Sequence, residues 1–452
     1  MASGVGDCGG TIPHSREGTV KITPEWRVYI LGVTLCAALT ICSRNFSDRG
    51  GAYFMATLTV ACVVYFLAMR DFFATSRLPR RVVVIGLSLA AVWHAEFLRL
   101  PPGTDDDIHR YVWDGRLQRL GYSPYVVIPS DPFADSLHTG ETRTLNNPDL
   151  PSPYPPGAQL FFRAVTAVHE SVFAFKVAFA LCEFAIALVL LDLLRTTGRS
   201  AYWVLAYAWH PLLATEVAGS GHIDILGTLL LVISVAALAR RWRMVAALAF
   251  ALAVAVKFLP IVLLPLYWRR VRMRDAALGA AAVALLYVPF LNHGRIPIGS
   301  LGTYVQTFRF NGPVFGMLAE MAPPQLLAGF AVLVGLATAS WLRRAAAELS
   351  SDVFAWPIAA SLLCAPVVFP WYFLWLLPFL TSASTVVILI WTLGIIPVYV
   401  QWHLRTLGHP WGALPVWVMV VEYGAAAVAA GIIGLRRIKR SVPPPALSGR
   451  LD

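Results

Sequence analysis

The chain has 452 residues, of which 58% are hydrophobic and only 13% charged, and its formal net charge is +11. Soluble globular chains are near half apolar and a quarter charged, so this balance, with a mean hydropathy of +0.65, excludes an ordinary soluble protein and implies a polytopic membrane protein. The positive charge does not imply a nucleic-acid partner, because the basic residues fall in short runs between apolar segments: 70–81, 240–243, 269–274, 343–344 and 436–440.

Residues 1–26 form a polar tail without the apolar core of a cleavable signal, so the first span is expected to direct insertion. Apolar segments follow at about 27–43, 53–69, 81–98, 171–194, 201–218, 223–239, 244–256, 258–268, 275–291, 325–342, 352–368, 371–383, 384–400 and 413–434. Several fall short of the roughly 20 residues a full span needs. The expected fold class is therefore an all-α polytopic membrane protein with about 12–14 transmembrane or half-membrane helices across 27–434. A basic cytoplasmic tail, 435–452, completes the chain. Of six cysteines, five lie in or beside apolar segments and only Cys8 is in a polar tail, so no disulfide framework or zinc spacing is present.

The pair 244–256 and 258–268 is flanked by two basic runs. A single straight helix would put one run on each side of the membrane, whereas a bend at Lys257-Phe258-Leu259-Pro260 keeps both on one side, and Pro260 supplies the break. With the N-terminus inside, every basic run then lands in the cytoplasm. The external face receives 99–170, the 215–224 turn, 292–324, the 369–372 turn and 401–412. Within the 99–170 loop, Ile108 to Leu120 reads as an amphipathic helix with Arg110, Asp114, Arg116 and Arg119 on its polar side. A second short helix is expected after Tyr154-Pro155-Pro156, with proline in its first turn. Both are expected to lie along the membrane surface.

The external segments carry the chemistry. Asp105, Asp106 and Asp107, followed by His109, Arg110 and Asp114, are read either as a solvated helix cap or as the seat of a general base. A divalent cation is a further option there, since hard cations favour oxygen ligands, although three adjacent aspartates do not define a site. The segment 209–224 places His210, Glu216, His222 and Asp224 near a membrane boundary, where ionisable groups serve function or form a structural network. Lys257, at the apex of the bent pair, either snorkels or pairs with an anion such as a lipid phosphate. Arg309 and Asn311 are candidates for phosphate or sugar contacts, and Trp371 and Tyr372 for an aromatic belt or a binding wall.

Together these segments resemble the GT-C superfamily of membrane glycosyltransferases, in particular the bacterial polyprenyl-phosphomannose-dependent mannosyltransferases. The similarity is carried by DDIHRYVWDG (106–115), GYSPY (121–125), NNPDLPSPYPPGAQ (146–159), GSGHID (219–224), VKFLP (256–260), RFNGP (309–313) and FPWY (369–372). His109, Ile223 and Phe369 depart from the tyrosine, asparagine and histidine usual at those places, which bears on the sugar or acceptor more than on the reaction class.

The resemblance implies an inverting hexosyltransferase of the plasma membrane with an extracytoplasmic site. It would move mannose from a polyprenyl-phosphate donor to a glycan, lipid or protein hydroxyl. Asp106 is then the expected base, with Asp107 the second choice. His222 and Asp224 would hold sugar hydroxyls or orient the base, Lys257 and Arg309 would balance the leaving phosphate, and Asp105, His109, Arg110, Tyr154, Asn311, Trp371 and Tyr372 would complete the site. The alternatives are a secondary transporter or a flippase for lipid-linked sugars. Against a transporter, the conspicuous groups gather on one face and no inverted repeat is visible.

Overall fold

The computed structural model describes residues 23–103, 106–291, 296–345, 350–412 and 414–441. Among them there is no strand, and an isolated parallel bridge joins Phe310 to Val367. Three long apolar helices open the chain: α1 (Pro24–Ser43), α2 (Ala52–Ala74) and α3 (Arg80–Leu98). Two shorter helices form within the first large loop, α4 (Asp107–Arg119) and α5 (Pro156–Val168), the latter with proline at its first turn as expected.

There follow α6 (Val172–Thr196), α7 (Asp224–Ala239), α8 (Arg243–Val256), α9 (Met273–Tyr287), α10 (Leu301–Thr307), α11 (Pro324–Ala345) and α12 (Val416–Ser441). Eight helices among the described residues are long and apolar enough to cross a membrane: α1, α2, α3, α6, α9 with its extension to Phe290, α11, Ala383–Thr406 and Val416–Leu435. Leu213–Gly219 and α7, bent by 114° where they meet, pass the same test only when taken together, as a broken span or a re-entrant loop. The other apolar segments are short pieces. Pro260, Pro370 and Pro378 each open a 3₁₀ turn instead of continuing a helix, because proline lacks the N–H donor and clashes with the preceding turn.

The expected break after α8 is present. Lys257 is extended, with φ −157° and ψ 137°, and a 3₁₀ turn begins at Leu259. The two basic runs meet as that bend requires, with Arg241, Arg243, Arg272 and Arg274 lining one depression.

The reading of α4 as a surface helix with a solvated polar side is corrected. Arg110 and Asp114 are buried and pair with each other at 3.3 Å. Asp114 also accepts from Ser152 and Gln159, tying α4 to the 152–154 turn and to α5. Only Arg116 and Arg119 reach outward, where both meet Glu170. Burial pushes the Asp114 carboxyl up, against the pull of Arg110, Ser152 and Gln159. A helix enclosed on this side holds its first turn rigidly, and that turn carries the paired aspartates.

Candidate active site

A cavity of about 1090 Å³ opens where the segments assigned to the external face converge. Its walls come from the 46–49 turn, 101–103, Asp106, Asp107, 144–155, His222, Lys257, 300–308, 369–372 and 402–411. Residues far apart in sequence thus share one chamber, lined by aromatic rings with a few charged groups, as expected of a small-molecule site.

Asp106 and Asp107 both line it but sit differently. Asp106 occupies the N-cap position of α4, yet its carboxylate turns away from the helix. Oδ1 lies 3.0 Å from Arg49 Nη2, and Oδ2 accepts from the Gly103 N–H at 2.7 Å. Arg49 also donates to Ser220 at 2.6 Å. Both side chains of this ion pair are nearly closed off, at 6% and 3% exposure, while Asp107 keeps 22%. Asp107 has no Lys or Arg ion-pair partner among the described residues. It accepts from Asn146 Nδ2 at 2.6 Å and lies 3.9 Å from His222 Nδ1. Beside it, burial and then the Asp107 charge hold the Tyr154 phenol well above its usual value, so Tyr154 stays a neutral donor.

A π-helical turn over Leu213–Gly219 places His222. Its wide hydrogen bonds run from Ser220 N to Thr215 O and from Gly221 N to Glu216 O. Such turns are rare and are frequent at functional sites. Gly221 follows at φ +77°, a conformation that favours glycine, and a Cβ there would stand 2.5 Å from Ile108 of α4. The His222 ring stacks on Trp371 at 4.0 Å and 11°.

Lys257 does meet an anion, but one from the chain itself. Its ammonium lies 2.8 and 2.9 Å from the two oxygens of buried Asp224, which also accepts from Trp375 Nε1. Asp224 is therefore committed to an ion pair and does not line the cavity. The ammonium sits 3.9 Å from the centre of the Tyr372 ring, and Tyr372 and Tyr304 share a hydroxyl contact at 2.7 Å.

The structure gathers Asp106, Asp107, Arg110, Tyr154, His222, Lys257, Trp371 and Tyr372 at this cavity. It does not bring Arg309 or Asn311 there. Arg309 donates to the carbonyls of Val305, Gln306 and Phe308, capping α10, and its cation lies over Phe315. Asn311, at φ +54°, donates to Glu422 of α12. His109 stands behind the cavity wall, its ring nitrogens near the carbonyls of Glu141 and Gly103. His210 is buried against Thr392 and Tyr65. Asp105 lies outside the described residues. Among the described residues no group of three or more His, Cys, Asp or Glu forms a metal-ligand set.

Sequence reasoning missed Arg49, Asn146, Tyr304, Trp402, Arg405 and Trp411, all of which line the cavity. One signal was available for Arg49 and Arg405. Arg405 falls in the 401–412 loop expected outside, and an interior N-terminus puts the 44–52 loop of Arg49 outside as well, where basic residues are unusual.

The family model described as MptA_B family, alpha-(1->6)-mannopyranosyltransferase, N-terminal domain, matches residues 33–271, more than half of the chain. Comparison with curated proteins and with solved structures gives no match.

Proposed function

The chain belongs to the MptA_B family of alpha-(1->6)-mannopyranosyltransferases, and from that premise we propose that it moves mannose from a polyprenyl-phosphate carrier onto the primary hydroxyl of a mannose-containing acceptor, on the extracytoplasmic face. Displacement at the anomeric carbon inverts configuration, so an α product requires a β-linked donor. Asp107 is the base. The observation that carries this reading is the state of that carboxylate: it faces the cavity, retains exposure, and has no Lys or Arg ion-pair partner among the described residues.

The acceptor O–H gives its proton to Asp107 as the oxygen attacks C1, while the C1–O bond to phosphate breaks and the electron pair leaves with the phosphate. A monophosphate leaving group accumulates charge that needs a positioned donor. Lys257 supports that role, because an ammonium has three protons and Asp224 fixes its position from one side. Tyr304 and Tyr372 add hydroxyls beside it. Tyr154 lines the chamber beside the sugar ring, while Trp371, stacked between His222 and Phe369, holds the wall around it with Asp106 and Arg110.

Purified protein in detergent should transfer radiolabel from mannosyl polyprenyl phosphate to short α-(1→6)-linked mannose oligosaccharides, lengthening them by α-linked residues. Absence of transfer from this donor, alongside transfer from a nucleotide-activated sugar, would overturn the donor assignment. A transporter or flippase would move label across vesicles without forming a new glycosidic bond.

A further inference from the structure

We propose that Glu216 is a positioning residue for His222, and that Asp107, His222 and Glu216 form a carboxylate–imidazole–carboxylate array behind the reacting hydroxyl. This inference rests on the reading of Asp107 as the base. His222 is only 1% exposed, and neither of its ring nitrogens has a well-aligned hydrogen bond. Unpartnered buried polar atoms are uncommon and call for an explanation. Each nitrogen nevertheless faces a carboxylate, Nε2 at 3.2 Å from Glu216 Oε2 and Nδ1 at 3.9 Å from Asp107 Oδ2. Stacking on Trp371 fixes the plane of the ring, so the two nitrogens point to opposite carboxylates.

Glu216 is itself held. Its other oxygen accepts from the Tyr399 hydroxyl, which also contacts Thr215 at 2.9 Å. The π-helical turn carries Glu216 and the glycine before His222 in one rigid piece. Among the described residues, Arg49 is close enough to couple to Glu216 and Asp106 to His222, the Tyr111, Tyr154, Tyr304 and Tyr372 phenols face Asp107, and Lys176 lies near Asp106 and Arg49.

Burial works against a charged ring at His222, but Glu216 and then the Asp107 and Asp106 charges outweigh it and push the imidazole up. The protonated ring directs Nε2–H at Glu216 and Nδ1–H at Asp107, so it orients the Asp107 carboxylate and leaves an oxygen free to face the acceptor hydroxyl. The 3.9 Å gap is spanned by a small rotation of the Asp107 carboxylate or by one water. As Asp107 takes the acceptor's proton its charge is lost, and Glu216 holds the ring in place. Loss of the proton to the departing phosphate or to cavity solvent resets the base.

The test compares steady-state kinetics of the purified protein with mannosyl polyprenyl phosphate across pH. In Glu216→Gln, kcat should fall about 10- to 100-fold, less than the loss expected for the base itself. The KM for donor should stay within about 2-fold, and the acidic limb of the pH–rate profile should move. Tyr399→Phe, which removes a single hydroxyl, should show the same changes more weakly and guards against a Glu216 variant that fails to fold. Wild-type kcat and an unchanged profile in both variants, beside a dead Asp107→Asn, would overturn the array and leave the base intact. An active Asp107→Asn would instead overturn the site assignment on which the array rests.

Discussion

Arg49, in the turn between the first two spans, closes on Asp106 at 3.0 Å and separates it from its neighbour Asp107 in chemical role. The guanidinium is wedged between the Phe46 and Trp402 rings, 5.0 and 5.8 Å from their centres, and also holds Ser220. Such a pair is costly to bury and costlier to break, because removing one member strands the other's charge. Arg49→Met should therefore lower unfolding stability by about 3–5 kcal/mol, and Arg49→Met with Asp106→Leu should recover much of that loss. Thermal unfolding of the purified protein in one detergent checks both. A single variant as stable as the wild type would show that the pair does not hold the fold.

The two aspartates should separate under conservative substitution. Asp107→Asn keeps the shape but removes the basicity, so turnover should drop about 100- to 10,000-fold, with donor binding retained. Asp106→Asn keeps an oxygen for only one of Arg49 and the Gly103 N–H and so loses part of the pair, yet its turnover loss should be at least tenfold smaller. Turnover of a labelled donor by both variants settles the order. The reverse pattern would return the base to Asp106 and assign Arg49 a direct part in catalysis.

Parts of this arrangement were legible in the sequence because local chemistry specifies them. Pro156 starts α5, Lys257 to Pro260 ends α8, and the 106–115 motif sits at the start of α4 as expected. What the sequence concealed depends on contacts between distant segments. The Arg49–Asp106 pair spans 57 residues and the Tyr399–Glu216 contact spans 183. Residue type also misled. Arg309 and Asn311 have side chains suited to sugars and phosphates, yet one serves the carbonyls of its own helix and the other anchors α12. Asp224 is buried with a cation of the chain, because a carboxylate at that depth needs one.

Lys257 has two potential tasks, neutralising Asp224 and holding the donor phosphate, and a double substitution separates them. Lys257→Met strands the buried Asp224 and should raise the donor KM by more than about tenfold while also reducing stability. Adding Asp224→Leu removes the stranded charge and should restore stability. If the ammonium binds phosphate, donor KM stays high in the double variant. A return of KM to the wild-type value would confine Lys257 to the ion pair. Lys257→Arg should retain part of the affinity, since the charge remains but its geometry differs.

The membrane orientation follows from charge and can be measured directly. The cavity is lined by the segments expected outside, and the 240–243 and 269–274 runs meet elsewhere. The positive-inside rule predicts that those runs, and the end of α12, lie on the cytoplasmic side. Ser136 is exposed within the loop that carries α4 and α5, whereas Ser441 ends α12. In a background whose native cysteines are replaced by serine, Ser136→Cys on intact cells should react with a membrane-impermeant maleimide. Ser441→Cys should react only after permeabilisation, because the bilayer separates it from the reagent. Equal labelling of both positions on intact cells, or labelling of position 441 alone, would invert the orientation and move the cavity to the cytoplasmic side, where a nucleotide-activated sugar becomes the available donor.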